Sequence, residues 1–172
     1  GAAIYENTKA EELCIENGAI VGVHTDRGFL KSSTVILCGG MWSRDIAKSV
    51  GVELPLHACE HFYVVTEEMD GLTPRPVLRD FDKGVYFKED AGKMLVGWFE
   101  HNAKGLSMDR ISEDFCFDQF PCDMEHIEEY LIRGMETFPK FGEVGIRTWF
   151  NGPESFTSDN LHLMGPTPEV DN

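Results

Sequence analysis

The stretch GVYFKEDAGKMLVGWFE, residues 84–100, contains two strand-like segments on either side of a turn at Ala91-Gly92. β-Branched and aromatic residues are typical of strands, and glycine allows the backbone angles that a tight turn requires. A third segment of the same kind, HFYVVTEEM at residues 61–69, comes before these two. This succession of strands and short turns predicts an antiparallel sheet in the middle of the chain.

The segment DMEHIEEYLIRGMETF, residues 123–138, has the clearest helical pattern in the chain. Its apolar residues recur at spacings of four, four and three: Ile127, Leu131, Met135 and Phe138. These spacings put the apolar residues on one side of a helix, and Pro139 favours a helix end. A last strand is predicted over residues 144–152, and residues 153–172 are predicted to form a loop.

The first 51 residues combine a hairpin with the outline of an α/β unit. Asn-Gly at 17–18 joins two alternating segments, and this pair is the strongest short signal of a hairpin turn. The continuous apolar run Val35–Cys38 predicts a strand that is covered on both faces, as in a parallel sheet. A short helix follows, with Ser43 predicted as its N-cap and Gly51 as its left-handed end. Together with the middle sheet, these elements predict an α+β fold.

The composition restricts the possible partners. There are 30 acidic and 15 basic residues, a net charge of −15, which argues against nucleic acids and anionic lipid surfaces. No run of 18 apolar residues is present, so a soluble protein is predicted. The five cysteines include no CxxC pair and predict free thiols in a reducing compartment, the cytoplasm or the mitochondrial matrix. The histidines do not cluster with the cysteines, so no metal site is predicted.

Gly39 and Gly40 lie between the apolar run and the short helix, in the sequence CGGMWS. A dinucleotide site needs GxGxxG at such a position, because backbone N–H groups must reach the pyrophosphate. Two adjacent glycines do not meet that requirement, although they permit a flat ligand to approach the backbone closely. A tight strand-to-helix turn explains the glycine pair equally well.

His61 and Tyr86 are the candidate chemical groups on the predicted strands. A single histidine on a strand is more often a packing residue than a catalytic one, and a strand tyrosine is normally half-buried with its hydroxyl at the rim. Three arginines could bind a carboxylate, but surface ion pairs are the simpler interpretation: Arg75, Arg79 and Arg147. No GxSxG, Walker or HExxH motif is present.

Three blocks of the sequence together resemble one family. Residues 1–68, 76–100 and 151–166 are similar, in the same order, to flavin-dependent amine oxidoreductases of the D-amino-acid oxidase superfamily. The nearest likeness is to the dimethylglycine and sarcosine dehydrogenase branch. The resemblance implies an antiparallel substrate-binding sheet with helices, plus a partial segment of an FAD-binding α/β domain. It also implies boundaries: FAD-binding residues 1–53, a substrate-binding domain at 54–150 and a return segment at 151–172.

The resemblance assigns roles to the candidate residues. It implies that the turn containing Gly39, Gly40 and Trp42 lies beside the flavin of FAD. Ala10 stands where the family usually has a valine that meets the adenine side of FAD through its backbone. His61 and Tyr86 correspond to a histidine and a tyrosine that line the substrate side of the flavin.

The implied activity is the oxidative demethylation of an N-methylglycine, dimethylglycine or sarcosine, by hydride transfer to FAD. The methyl carbon would leave as formaldehyde or be captured by tetrahydrofolate on a further domain. The resemblance also implies that the chain is an internal fragment without GxGxxG, and such a fragment is expected to be inactive alone. Two alternatives stay open: a non-catalytic regulatory or interaction relative with the same fold, and an oxidase of another amine or amino acid.

Overall fold

The computed structural model describes all of residues 1–172 and divides them into two compact units. The first unit consists of Gly1–His57 and Ser155–Asn172, and the second consists of Ala58–Glu154. The first unit is therefore discontinuous in sequence, whereas the second is continuous. No helix combines the length and the apolar character that crossing a bilayer requires.

The first unit contains a three-stranded antiparallel sheet in the order β1-β2-β3. Its strands are Ala10–Glu16 (β1), Ala19–Thr25 (β2) and Gly28–Lys31 (β3). The turn between β1 and β2 has φ angles of 51° at Asn17 and 86° at Gly18, the left-handed values that an Asn-Gly hairpin turn uses. The predicted hairpin is confirmed.

The predicted strand at Val35–Cys38 is wrong, because residues 34–39 pair with no other strand. Exposure alternates along this run instead of being low throughout, and the Ile36 side chain is 82% exposed. A buried parallel strand needs hydrogen-bonded neighbours for its backbone groups. None of the nine strands of the structure lies beside this segment, so the apolar run remains extended chain.

The predicted short helix is confirmed, but it begins differently. A 3₁₀ turn, Gly40–Trp42, leads directly into α1, Ser43–Lys48. Trp42 occupies the cap position with helical backbone angles and makes no side-chain capping bond, while Ser43 is already helical and buried. Because the chain enters α1 from a turn, the predicted serine cap does not form. Gly51, with φ 83°, follows the helix as predicted, and its N–H donates to the Lys48 carbonyl.

A six-stranded antiparallel sheet forms most of the second unit. Four of its strands have the order β5-β6-β7-β4, β8 continues this order after β4, and β9 pairs with β4. The strands are Leu56–Thr66 (β4), Leu78–Asp80 (β5), Val85–Asp90 (β6), Lys93–Trp98 (β7), Gly105–Leu106 (β8) and Ile146–Thr157 (β9). The turn between β6 and β7 has positive φ at Ala91 and Gly92, which confirms the predicted hairpin and, with it, the α+β fold.

Helix α2, Met124–Thr137, packs on one face of this sheet. Its buried residues are Ile127, Tyr130, Leu131 and Gly134. Met135, which was predicted to be on the apolar side, is 39% exposed. The helix is rotated toward Gly134 because the absent side chain admits two aromatic rings: a Cβ there would lie 3.1 Å from Phe141 and 3.2 Å from Trp98. A pattern of large apolar residues does not predict this contact, because the residue that makes it possible is a glycine.

Asp123 caps α2, since its Oδ1 accepts a hydrogen bond of 3.1 Å from the His126 backbone N–H. We expect Asp123→Ala to lower the free energy of unfolding of the second unit by about 1 kcal/mol, the usual cost of losing an N-cap. Asp123→Asn keeps the capping oxygen but removes the ion pair with Lys104, so it should cost only a few tenths. Urea unfolding of both variants measures the difference, and equal losses would show that the ion pair, not the cap, matters.

Strand β9 is longer than predicted and includes residues 153–157, which were predicted to be loop. Pro153 lies within it. A strand that pairs on one side only can contain a proline, because the missing N–H need not face a neighbour. β9 pairs with β4 alone, so the proline is compatible with the strand.

The last two residues are bonded to the hairpin of the first unit. The Asn172 side chain accepts from the Ile20 N–H at 2.6 Å and donates to the carbonyls of Ile20 and Ser33. The Asp171 N–H donates to the Gly18 carbonyl at 2.9 Å. The segment predicted as loop thus ends in a defined set of hydrogen bonds.

Candidate functional site

The large sheet has a core face and an opposite face, which we call the outer face. Side chains alternate between the faces of a strand, and Phe62 and Val64 of β4 lie in the core. His61 and Tyr63 therefore belong to the outer face. Strand pairing places Tyr63 opposite Gly97 of β7, and Gly97 opposite Tyr86 of β6. The structure thus brings the two sequence candidates, His61 and Tyr86, to one face of one sheet.

Gly97 is what allows the Tyr86 ring to lie over β7. A Cβ at Gly97 would be 2.3 Å from both the hydroxyl oxygen and Cζ of Tyr86, so no other residue fits there without moving the ring. On the far side of Gly97, Tyr63 stacks on Phe150 with ring centroids 4.5 Å apart and an angle of 16°. The outer face therefore presents aromatic surfaces on both sides of a glycine.

Burial raises the pKa of Tyr86, and the charge of Glu154 and the neighbouring Tyr63 raise it further. Each effect disfavours the phenolate, because a charged form is poorly solvated in a half-buried site and is repelled by a carboxylate. Tyr86 is consequently a neutral phenol at physiological pH. It can donate a hydrogen bond there but cannot act as a resting base.

His61 lies between two carboxylates. Its Nδ1 is 3.5 Å from Glu100 Oε1, and its Nε2 is 3.7 Å from Glu154 Oε2. Burial works against the imidazolium and lowers the pKa of His61, but the hydrogen bond to Glu100 and the charges of Glu154 and Glu100 outweigh it. The pKa of His61 therefore lies above its ordinary value, which makes the ring a stronger base than a free histidine.

Glu100 is the buried centre of this cluster, with a side chain only 1% exposed. It follows the point where the β4–β7 pairing ends at Tyr63 and Gly97. There its Oε1 accepts from the Phe62 backbone N–H at 3.3 Å, in place of a strand partner. Its Oε2 lies 3.6 Å from Nε2 of His126 on α2.

Sequence reasoning missed three members of this cluster: Glu100, His126 and Glu154. They are separated by tens of residues along the chain and carry no motif. The local signal that exists, a glutamate directly after a strand, is too common to be informative in a chain with 30 acidic residues. The four side chains do not form a group that could hold a metal ion.

The arginine candidates differ from one another. Arg147 pairs with Glu67 at 4.0 Å, as expected of a surface arginine. Arg79 corrects the expectation: its guanidinium lies over the Phe81 ring at 4.4 Å and over the Phe99 ring at 4.0 Å, with no carboxylate within 4.0 Å. Aromatic faces stabilise a cation without neutralising it. Arg79 is also paired across the strands with Tyr86, so it lies at the edge of the outer face.

The cofactor candidates lie in the first unit. Gly40 has φ 55° and no atom within 4 Å of the position a Cβ would take, so its backbone is open to a flat ligand. Gly39 is more enclosed, since its Cβ position is 3.2 Å from Ser43 Oγ. Trp42 is 45% exposed beside them. These residues fit contact with a flat ring system, whereas residues 1–172 contain no GxGxxG to hold phosphates.

Ala10 is placed apart from that turn. It lies at the start of β1 in a small pocket that α1 also lines with Asp45, Ile46 and Ser49. None of Gly39, Gly40 and Trp42 lines this pocket. An adenine contact at Ala10 and a flavin contact at the glycine turn would therefore be separate contacts, and both stay predictions.

Comparison with known proteins identifies relatives of this chain. It is 35% identical over 173 residues to 4-methylaminobutanoate oxidase (formaldehyde-forming) of Paenarthrobacter nicotinovorans, covering 100% of the chain and 21% of that protein. It is 34% identical over 151 residues to mitochondrial sarcosine dehydrogenase of Homo sapiens, covering 88% of the chain and 16% of that protein. The chain thus spans about a fifth of the length of these relatives.

A third relative is named as a regulatory subunit and not as an oxidase or dehydrogenase. The chain is 31% identical to the mitochondrial pyruvate dehydrogenase phosphatase regulatory subunit of Mus musculus, covering 99% of the chain and 20% of that protein. Among solved structures, L-proline dehydrogenase from P. horikoshii has a TM-score of 0.76 at 21% identity, covering 96% of the chain and 42% of that structure. This likeness shows the fold.

The sequence resemblance is confirmed by these matches, since flavin-dependent amine oxidoreductases, sarcosine dehydrogenase among them, are its relatives. The fold neighbour agrees with the observed antiparallel sheet and its helices. The model of one family matches residues 1–172 without interruption. The chain belongs to the FAD dependent oxidoreductase family, DAO.

Proposed function

We propose that the full-length protein that carries this chain oxidises the N-methyl group of a small amino acid, with dimethylglycine and sarcosine as the first candidates. The position of His61, between Glu100 and Glu154 on the same face as Tyr86, is the observation that carries the proposal. The names of the relatives support an N-methylated amine substrate. FAD, when bound, supplies the acceptor for the hydride that leaves the methyl carbon.

His61 would remove the proton of the substrate amine. An alkylammonium such as that of lysine has a pKa of about 10.4, so the amine arrives protonated at neutral pH. Its nitrogen must lose that proton before its lone pair can assist hydride departure from the methyl carbon. The half-exposed Glu154 attracts the ammonium, and Nε2 of His61, on the same side, accepts the proton. The resulting imidazolium stays paired with Glu100.

Tyr86 would orient the substrate rather than deprotonate it. Its raised pKa keeps the hydroxyl protonated, so it donates a hydrogen bond in all steps. Arg79 supplies a cation at the edge of the same face, held by two rings and not neutralised by a carboxylate of the chain. The carboxylate of an amino acid is a suitable partner for that charge.

The cofactor contacts follow from the first unit. Gly39, Gly40 and Trp42 would contact the flat part of FAD, and Ala10 would meet its adenine side.

In the substrate, loss of hydride from the methyl carbon leaves an iminium. Addition of water to that carbon and cleavage of its bond to nitrogen then release formaldehyde and the demethylated amine. Tetrahydrofolate bound by a further domain would capture the same carbon instead.

The test is the absorbance of the full-length protein. Anaerobic addition of dimethylglycine or sarcosine should bleach the oxidised flavin, and formaldehyde should appear in an amount equal to the flavin that is reduced. Including tetrahydrofolate distinguishes release of the methyl carbon from its capture. Bleaching by an amino acid without an N-methyl group, and not by these substrates, would instead identify an oxidase of another amine.

The relative named as a regulatory subunit favours a second candidate, a non-catalytic protein with the same fold. Such a protein would purify without flavin or would keep its flavin oxidised in the presence of every amine tested. The cluster of His61, Glu100 and Glu154 favours the enzyme, because it places a base between two carboxylates on the face that carries Tyr86.

A further inference from the structure

Glu100 is a buried carboxylate whose only basic neighbours within 4.0 Å are two histidines. No lysine or arginine lies within 4.0 Å of it; His61 is 3.5 Å from one oxygen and His126 is 3.6 Å from the other. A carboxylate that is 1% exposed is costly unless a positive charge or hydrogen bonds compensate for it. Its one backbone donor, the Phe62 N–H, cannot do this alone.

We propose that Glu100 is a positioning residue for His61, that it holds Nδ1–H so that Nε2 faces the substrate, and that His126 shares this carboxylate from the opposite side. The proposal rests on the proposed function of His61 as the base. The family match assigns no role to Glu100 or His126. Through Glu100, a partly buried histidine on α2 is coupled to the outer face.

The geometry explains why a carboxylate serves here. Neutral histidine carries one proton, and the atom opposite the carrier is the acceptor. With Nδ1–H donated to Glu100, Nε2 is the acceptor and points to the side of Glu154, where the amine would bind. When Nε2 takes the proton of the substrate, the imidazolium and Glu100 form an ion pair, so no isolated charge is created.

His126 competes for the same compensation. Neither Glu100 Oε2 nor His126 Nε2 has a hydrogen-bond partner in the structure, although both atoms are buried and lie 3.6 Å apart. A donor at His126 Nε2 would offset part of the Glu100 charge, which leaves less of that charge to attract the His61 ring. The other titratable groups that the charge of Glu100 reaches are Cys59 on β4 and Tyr130 on α2, and both are neutral at physiological pH with their pKa values raised, chiefly by burial.

Removing Glu100 and removing His126 should therefore have opposite effects on His61. Glu100→Gln takes away the charge and hydrogen bond that hold the pKa of His61 up, so that pKa should fall. His126→Gln keeps a donor toward Oε2 but removes a basic group from beside Glu100, which leaves His61 as the only histidine facing that carboxylate, so the pKa of His61 should rise. A purely structural role for either residue predicts no such opposition.

The measurement has two parts, both on the full-length flavoprotein. NMR of ¹³C-labelled histidine follows the His61 titration without substrate, and stopped-flow follows the rate of flavin reduction by sarcosine or dimethylglycine against pH. In wild type the rate should rise with pH as His61 loses its proton. Glu100→Gln should move this rise to lower pH and reduce the plateau about 10- to 100-fold, as second-layer partners of functional histidines do. His126→Gln should move the rise to higher pH.

Glu128→Gln on α2 is the matched control, because it removes the same charge from an exposed side chain. Its titration should coincide with that of wild type. The proposal is overturned if Glu100→Gln leaves the His61 titration in place, or if both variants shift it in the same direction. If Glu100→Gln does not fold, His126→Gln decides alone by the direction of its shift. Should the wild type not react with N-methyl amines, the NMR titrations still test Glu100, so the two failures are distinguishable.

Discussion

Replacing His61 with asparagine should slow flavin reduction by sarcosine or dimethylglycine about 10²- to 10⁴-fold at neutral pH, the range that one proton-transfer group contributes. The asparagine amide can donate to Glu100, but it cannot accept the proton of the substrate amine. In this variant, only the substrate molecules that arrive with an unprotonated amine can react. Stopped-flow absorbance of the full-length protein measures the rate.

The pH dependence makes this prediction specific. As pH approaches the pKa of the amine, more substrate arrives neutral, so the deficit of His61→Asn should shrink. His162→Asn provides the control, since His162 is exposed and lies outside the cluster. A variant that reacts at the wild-type rate at neutral pH would remove His61 from the mechanism. A deficit that stays constant with pH would indicate a role in orientation instead of proton transfer.

Gly97→Ala should have the second largest effect, because the new methyl group would overlap the Tyr86 ring at 2.3 Å. The ring has to leave its place over β7, and the hydroxyl moves with it by more than the tolerance of a catalytic hydrogen bond. We expect a fall of about 10²-fold in the rate of flavin reduction. The loss of stability should be about 1–3 kcal/mol, as for other overpacked sites.

Gly152→Ala is the matched control for this variant. Gly152 lies on β9 of the same sheet, and a Cβ there would meet no atom within 4 Å. The double variant Gly97→Ala/Tyr86→Ala separates the two effects, because removing the ring should restore stability without restoring activity. Unchanged activity in Gly97→Ala would show that the position of the Tyr86 hydroxyl is unimportant for the reaction.

The parts of the fold that were predictable are those determined by neighbouring residues. The turns at Asn17-Gly18 and Ala91-Gly92 have positive φ angles, and each contains a glycine, which reaches such angles readily. Helix α2 likewise has an aspartate cap and a recurrent apolar pattern within 14 residues. For such elements the local sequence and the tertiary structure agree.

The errors concern elements that depend on distant partners. Val35–Cys38 has the composition of a buried strand, but no strand of the chain pairs with it. Residues 153–157 look like a loop because of Pro153, but they belong to β9, which pairs with β4. Each outcome is decided by a hydrogen-bonded neighbour that periodicity cannot reveal.

The candidate site was predictable in part for the same reason. His61 and Tyr86 are polar groups on predicted strands, and the family resemblance implies a role for them. That they share a face follows from strand register: Gly97 of β7 is paired with Tyr86 on one side and with Tyr63, two residues from His61, on the other. Glu100 is separated from His61 by 39 positions, since the chain must traverse β5, β6 and β7 before it returns. No spacing rule connects the two residues.

The discontinuity of the first unit bears on the order in which the chain folds during synthesis. Ile20 is hydrogen-bonded to Asn172, which lies 152 residues later in the chain. These bonds cannot form until Asn172 has been synthesised. Ala58–Glu154 is continuous and has all of its strand partners within reach much earlier. Since domains fold as units while translation proceeds, we expect the sheet that carries His61 to be assembled on the ribosome first. The unit that contains the glycine turn would then be completed later, when its C-terminal segment, Ser155–Asn172, has been synthesised.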